Sequence, residues 1–107
     1  MKYFIVLLPM LDDEKSQKYR PQHLDFLARL RNEGKILANG KFVDGTGGLV
    51  IYMANTLGEV ERLVQQDPYI IHGARYFEIH EWEMVSNVFT DERMGRVFRH
   101  TKKASEN

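Results

Sequence analysis

Cysteine is absent from the chain, which removes disulfides, thiolate nucleophiles and cysteine-bound metal together and fits a reducing cytoplasm. An excess of charge is missing too. Lys plus Arg and Asp plus Glu both number 15, so nothing draws the protein non-specifically to nucleic acid or to an anionic membrane surface. No apolar run is long: the first one ends at Leu8, too short for a signal-peptide core or a membrane span, and charged residues follow from Asp12 onward. These absences predict a soluble, cytoplasmic protein and disfavour nucleic acid and membrane as partners. At 107 residues there is room for one domain and one core, with some apolar surface left needing cover.

What is present has a clear order. Lys2–Leu8 is apolar on both alternating sets, Tyr3/Ile5/Leu7 and Phe4/Val6/Leu8, as in a strand buried on both faces, and Pro9 bounds it. Leu11–Tyr19 is polar and non-periodic, which predicts a loop. From there Leu24, Leu27, Ala28, Leu30 and Arg31 follow helical spacing up to a capping Gly34. Ile36–Val43 and Leu49–Ala54 read as a hairpin around Asp44-Gly45-Thr46-Gly47-Gly48, with Ile36, Ala38 and Phe42 on one side of its first strand and Asn39 and Lys41 on the other. Thr56-Leu57-Gly58-Glu59 has capping-box spacing and opens a helix to Gln66, and Arg75–Val85 alternates like a half-polar strand. The order βαββαβ predicts an α+β, ferredoxin-like, four-stranded antiparallel sheet with two helices on one face, the first and third strands central. Two helices cover only one face. The other calls for a second copy, with the tail 86–107 contributing through the stripe Met94, Val97 and Phe98.

Two prolines frame the candidate chemistry. Pro68 disfavours helical backbone at Asp67, which leaves a carboxylate on a fixed turn. Pro21 suits the first position of a helix, which would put His23 in the first turn and Arg20 at the helix start, where backbone N–H groups and the dipole favour a substrate carboxylate. Each residue also has a plain reading. His23 fits a surface residue beside Gln22 or Asp25, Asp67 an ordinary turn former, and Arg20 an exposed cation. Arg75 suits either a salt bridge with Asp67 or a substrate contact. His80 and Glu78 share a strand face, but no third ligand stands at a matching interval, so no metal site is predicted. The Gly-rich hairpin lacks the GK[ST] ending of a phosphate loop. Tyr76, Trp82 and Met84 at strand spacing fit core or dimer contacts better than an aromatic pocket.

Taken in order, Arg20-Pro21-Gln22-His23, Gly34-Lys35-Ile36-Leu37, Asn39-Gly40, Asp67-Pro68-Tyr69 and Glu81-Trp82 resemble the pattern of the YciI-like family over residues 1–85. The resemblance implies a fold of the dimeric α/β-barrel type, related to muconolactone isomerase, with His23 and Asp67 as a catalytic dyad in a cleft. Asn39-Gly40-Lys41 stands where the family often has Ser followed by Gly-Pro. A hydroxyl is therefore missing there, and Asn39 with Gly40 is left to meet the substrate through hydrogen bonds. The expected function is a cofactor-independent lyase or isomerase, dehydrochlorinase-like, in which His23 moves a proton, Asp67 orients it and Arg20 binds an anionic group of a small cyclic compound. The alternatives are a non-catalytic small-molecule-binding module and a structural dimer whose His23 and Asp67 never meet. One geometrical obstacle is expected: with the two helices parallel to each other, the start of the first and the end of the second lie at opposite ends of the helical layer. The pair would then close through the Asp67 turn or across the dimer.

Overall fold

In the computed structural model, which describes residues 1–86, β1 (Lys2–Pro9) runs through the middle of the sheet and carries the core. Phe4, Val6 and Leu8 are buried while Tyr3, Ile5 and Leu7 between them are half-buried, the period-2 alternation of a strand with one covered face. β1 is followed by α1 (Asp13–Asn32), β2 (Ile36–Lys41), β3 (Gly47–Ala54), α2 (Leu57–Val64), the one-turn α3 (Pro68–Ile71) and β4 (Glu78–Trp82). The sheet order is β2-β3-β1-β4 with every neighbouring pair antiparallel. The chain is thus an α+β fold with a four-stranded antiparallel sheet, and α3 is an addition to the expected pair of helices. Of the expected tail, all but Ser86 lies outside the described residues.

α1 departs most from expectation. The stretch expected as a loop is helical from Asp13, capped by Asp12, whose carboxylate accepts from the Lys15 N–H at 3.0 Å. Pro21 lies inside the helix rather than at its start, so His23 stands mid-helix and Arg20 has no helix N-terminus behind it. The buried stripe runs Ser16, His23, Phe26, Leu27 and Leu30. Its first half is polar, and a search for apolar periodicity passes over it. The helix ends as expected at Gly34, with φ 77°. Gly34 N–H donates to Arg31 O and Lys35 N–H to Leu30 O, the two closing bonds of a Schellman cap.

The helices are not parallel. β1 and β3 are antiparallel neighbours, and each is followed by a helix that returns along the sheet, so α1 and α2 run in opposite directions. The expected obstacle disappears, because the chain leaving α2 emerges at the end of the sheet where α1 begins. α3 and the segment after it then pack along the first half of α1. The segment follows the end of β1 through an isolated bridge between Met10 and Arg75, and regular pairing resumes only at Glu78, making β4 shorter than the expected Arg75–Val85.

A register shift in β2 completes the frame of the site. Ile36 pairs with Tyr52, but Ala38 pairs with Ile51 and Asn39 with Val50, with a bulge between Ile36 and Ala38. Ile36 and Ala38 therefore face opposite ways, contrary to the uninterrupted alternation expected. Asn39 falls on the helix side with buried Val50.

The opposite sheet face carries Tyr3, Ile5, Leu7, Leu49, Ile51 and Met53, all half-buried, and none of the described helices lies over it. At Gly47, φ 148°, an added Cβ would lie 2.3 Å from the Leu8 carbonyl oxygen, whereas at Gly34 it would meet nothing within 4 Å. Gly34→Ala should therefore cost only the left-handed backbone penalty of about 1–2 kcal/mol, and Gly47→Ala distinctly more. Thermal melts followed by circular dichroism check the ranking; equal losses would contradict it.

Candidate active site

The turn after α2 places one carboxylate wholly inside the protein. Asp67 has extended backbone (φ −64°, ψ 127°), caps α3 and has Pro68 at the following N1 position. Its relative exposure is 0 %. A buried carboxylate needs hydrogen-bond donors. Asp67 Oδ1 accepts the Tyr69 N–H at 2.9 Å, and His23 Nδ1 lies 2.8 Å from Oδ1 and 3.0 Å from Oδ2. The contact forms within one chain. With the carboxylate as acceptor, Nδ1 carries the hydrogen and Nε2 is left as the basic nitrogen. The same charge acts on Tyr52: burial first, then the Asp67 carboxylate, push its phenol well above the ordinary range, so it stays neutral.

Aromatic stacking fixes the imidazole on its flat side. The rings of His23 and Tyr69 are 3.8 Å apart and 12° from parallel, and the Arg75 guanidinium carbon lies 4.5 Å from the Tyr69 centroid. Arg75 is 8 % exposed and is held by neutral oxygens: Nε donates to Ser16 Oγ at 2.9 Å and Nη1 to Leu8 O at 3.3 Å. Among the described residues it has no carboxylate partner within 4.0 Å, so the alternative of a salt bridge with Asp67 is not what the chain does.

His23 opens onto a cleft between α1 and the β2–β3 edge. Arg20, Asn39, Gly40, Lys41, Tyr69 and Arg75 line it, above an apolar floor that includes Leu8 and Val50. Of the residues singled out from sequence, Arg20, His23, Asn39 and Gly40 all border this cleft, with Asp67 behind His23. Asn39 is partly engaged, since its Oδ1 accepts from Arg31 Nη1 at 2.7 Å; its amide nitrogen can still donate. The cleft's volume is about 130 Å³, close to the roughly 150 Å³ of an apolar cavity that takes up benzene. That is the size of one ring. Among the described residues its lining holds three cations and no carboxylate.

Ser16, Tyr69 and Arg75 are the parts that sequence reasoning underrated. Tyr69 was visible only as the aromatic residue of the Asp-Pro-aromatic motif, and Ser16 fell in the supposed loop. His80 lies beside Glu78 on exposed β4, away from the cleft, and no group of three metal-ligating side chains occurs among the described residues. No described helix is long and apolar enough to cross a membrane.

The model of the YCII-related domain matches residues 1–83. Uncharacterized protein YjpA of Bacillus subtilis (strain 168) is 30 % identical over 82 residues, covering 77 % of this chain and 96 % of that protein. Among solved structures, 5-chloro-2-hydroxyhydroquinone dehydrochlorinase (TftG) of Burkholderia phenoliruptrix AC1100, in complex with 2,5-dihydroxybenzoquinone, superposes with a TM-score of 0.67 at 22 % identity. That alignment covers 76 % of this chain and 93 % of the other. It is a likeness of fold.

Asp67→Ala removes the acceptor of two buried donors, the His23 ring N–H and the Tyr69 N–H. At about 1–3 kcal/mol for each unsatisfied donor, chemical denaturation should show a loss of roughly 2–6 kcal/mol. Asp67→Asn keeps an acceptor and should lose less; equal stability of Asp67→Ala and the parent would contradict the buried pairing.

Proposed function

Because the chain belongs to the YCII-related domain family, we propose that it is a cofactor-independent enzyme of the lyase or isomerase class, dehydrochlorinase-like, acting on a small anionic cyclic compound in the cytoplasm. One observation carries the reading. A buried imidazole held at Nδ1 by a carboxylate lines a ring-sized, cation-lined cleft. The dehydrochlorinase named among the solved structures of this fold supports the choice of reaction class.

The proposed chemistry needs no group beyond these side chains. Asp67 accepts the Nδ1 hydrogen, so Nε2 presents its lone pair to the ring. Nε2 takes a proton from a ring carbon or hydroxyl, the electrons of the broken bond form a new double bond, and a leaving group on the adjacent atom departs with its own pair. In an isomerisation no group leaves, and Nε2–H returns the proton to another ring atom. Through either course Asp67 stabilises the imidazolium. Arg20, Asn39 and Gly40 meet the substrate at the rim. Their part is binding and orientation, and Arg20 does it as an exposed side chain from the middle of α1 rather than as part of a helix start.

The sheet face that no described helix covers belongs to the same reading. We infer that Tyr3, Ile5, Leu7, Leu49, Ile51 and Met53 pack against their counterparts in a second copy, because a contiguous aliphatic face of this kind is an interaction surface in a monomer. Sedimentation should give a dimer at micromolar concentration and a monomer for Ile5→Glu. A folded, monodisperse wild-type monomer would overturn the inference.

The activity test is turnover of a panel of chlorinated hydroxyhydroquinones and unsaturated lactones. General acid–base catalysis contributes about 10²–10⁴-fold, so His23→Ala and Asp67→Asn should each lower kcat by that order. The double variant should be little worse than either, since the two residues act as a unit. Saturable binding of panel compounds without turnover would overturn the enzymatic reading and leave a binding module.

A further inference from the structure

Arg75 is the one buried cation whose charge the fold leaves without an opposite charge among the described residues. Burying a guanidinium is strongly unfavourable unless an anion or hydrogen bonds compensate it. Here the compensation is partial: two of its five N–H groups are taken by neutral oxygens of Ser16 and Leu8, and Tyr69 covers one face of its plane. The remaining edge borders two adjoining clefts. One is the cleft of His23. The other lies towards Met10, Ser16 and Phe42 and shares Arg20, Lys41, Tyr69 and Arg75 with the first.

The surroundings reinforce the charge. Among the described residues the His23 cleft has no carboxylate in its lining, and the second has one, Asp13, which is exposed at the start of α1. Arg20 and Lys41 are both exposed, where water and salt screen them and their long side chains pay entropy to be fixed. Arg75 is already fixed. A rigid, partly desolvated fork binds a carboxylate or a phenolate more strongly than a mobile surface cation does, and in two parallel hydrogen bonds when the anion has two oxygens.

We propose that Arg75, rather than Arg20, is the specificity-determining anion receptor of this cleft, taking the carboxylate or phenolate oxygen of a single-ring ligand whose ring lies against the apolar floor. This rests on the reading that the cleft binds a small cyclic anion. It does not rest on turnover. The stack of Arg75, Tyr69 and His23 then sets the spacing between the ligand's anionic group and the atom that faces His23 Nε2. Compounds whose anionic group and acidic hydrogen do not match that spacing bind without reacting.

The test uses benzoate and its neutral isostere benzamide, titrated into the full chain by calorimetry. Wild-type protein should prefer benzoate at least tenfold. Arg75→Met should erase the preference, Arg75→Lys should reduce it because the fork is lost, and Arg20→Met should keep most of it. A preference that survives Arg75→Met, or that Arg20→Met abolishes, would overturn the proposal. Should Arg75→Met fail to fold, the Arg75 Nε–H resonance in ¹⁵N-labelled wild type decides: it must shift on titration with benzoate and not with benzamide, and its indifference to benzoate would be equally fatal. Absence of turnover with every substrate would defeat the enzymatic reading while leaving this preference intact. Absence of the preference in an active enzyme would do the reverse.

Discussion

A carboxylate with no exposed surface must be met by whatever the chain can bring to it, and much of this molecule is arranged to meet Asp67. The antiparallel course of α1 and α2 carries the end of the second helix back to the first half of α1. Pro68 then holds Asp67 out of the helical conformation. The one-turn α3 supplies the Tyr69 N–H, and mid-helix His23 supplies the second donor. Stacking continues outward from there, imidazole on phenol and phenol on guanidinium. Each layer is positioned by the one beneath it. The cleft is the outer surface of that pile.

The charge distribution follows a similar logic. A chain with equal numbers of acidic and basic residues has no global field to attract an anion, yet the described lining of the His23 cleft is cationic throughout its charged members. Neutrality overall and polarity locally are compatible because acids are placed on other surfaces, such as Glu78 and Glu81 of β4 or Asp44 in the hairpin. There the Thr46 hydroxyl and N–H hold the Asp44 carboxyl below its ordinary range. Composition therefore limits non-specific binding without describing the site.

The strands were legible where burial imposes a period. β1 and β3 alternate between a covered and a half-covered face, and both could be placed from their residues alone. The capping residues Gly34 and Thr56 were legible for the same reason, as local chemistry decides them. α1 was not, because its first half turns Ser16 and His23 inward, residues that a hydrophobic period cannot register. Pro21 made the error worse: it reads as a helix start and is in fact tolerated within the helix. Asp67 and His23 could be named through the motif resemblance, but no local signal gave their contact. The distance between them, 44 positions along the chain, is closed by topology. Arg75 was undecidable in sequence, since pairing with Asp67 and facing a ligand require the same residue; only its neutral hydrogen-bond partners separate the two.

The bulge in β2 has a consequence for how this fold can diversify. On one side of it, Ile36 answers to the core opposite Tyr52; beyond it, Asn39 and Lys41 answer to the cleft, while Ala38 answers to the open face beside Ile51. An uninterrupted strand would tie these duties to a single parity, so that any slip of one position would exchange core, cleft and open face together. With one extra residue absorbed between them, Ile36 and Asn39 share a face of the sheet although they stand three positions apart. A substitution at Asn39 or Lys41 then alters the cleft wall and leaves Ile36 in its place against the core.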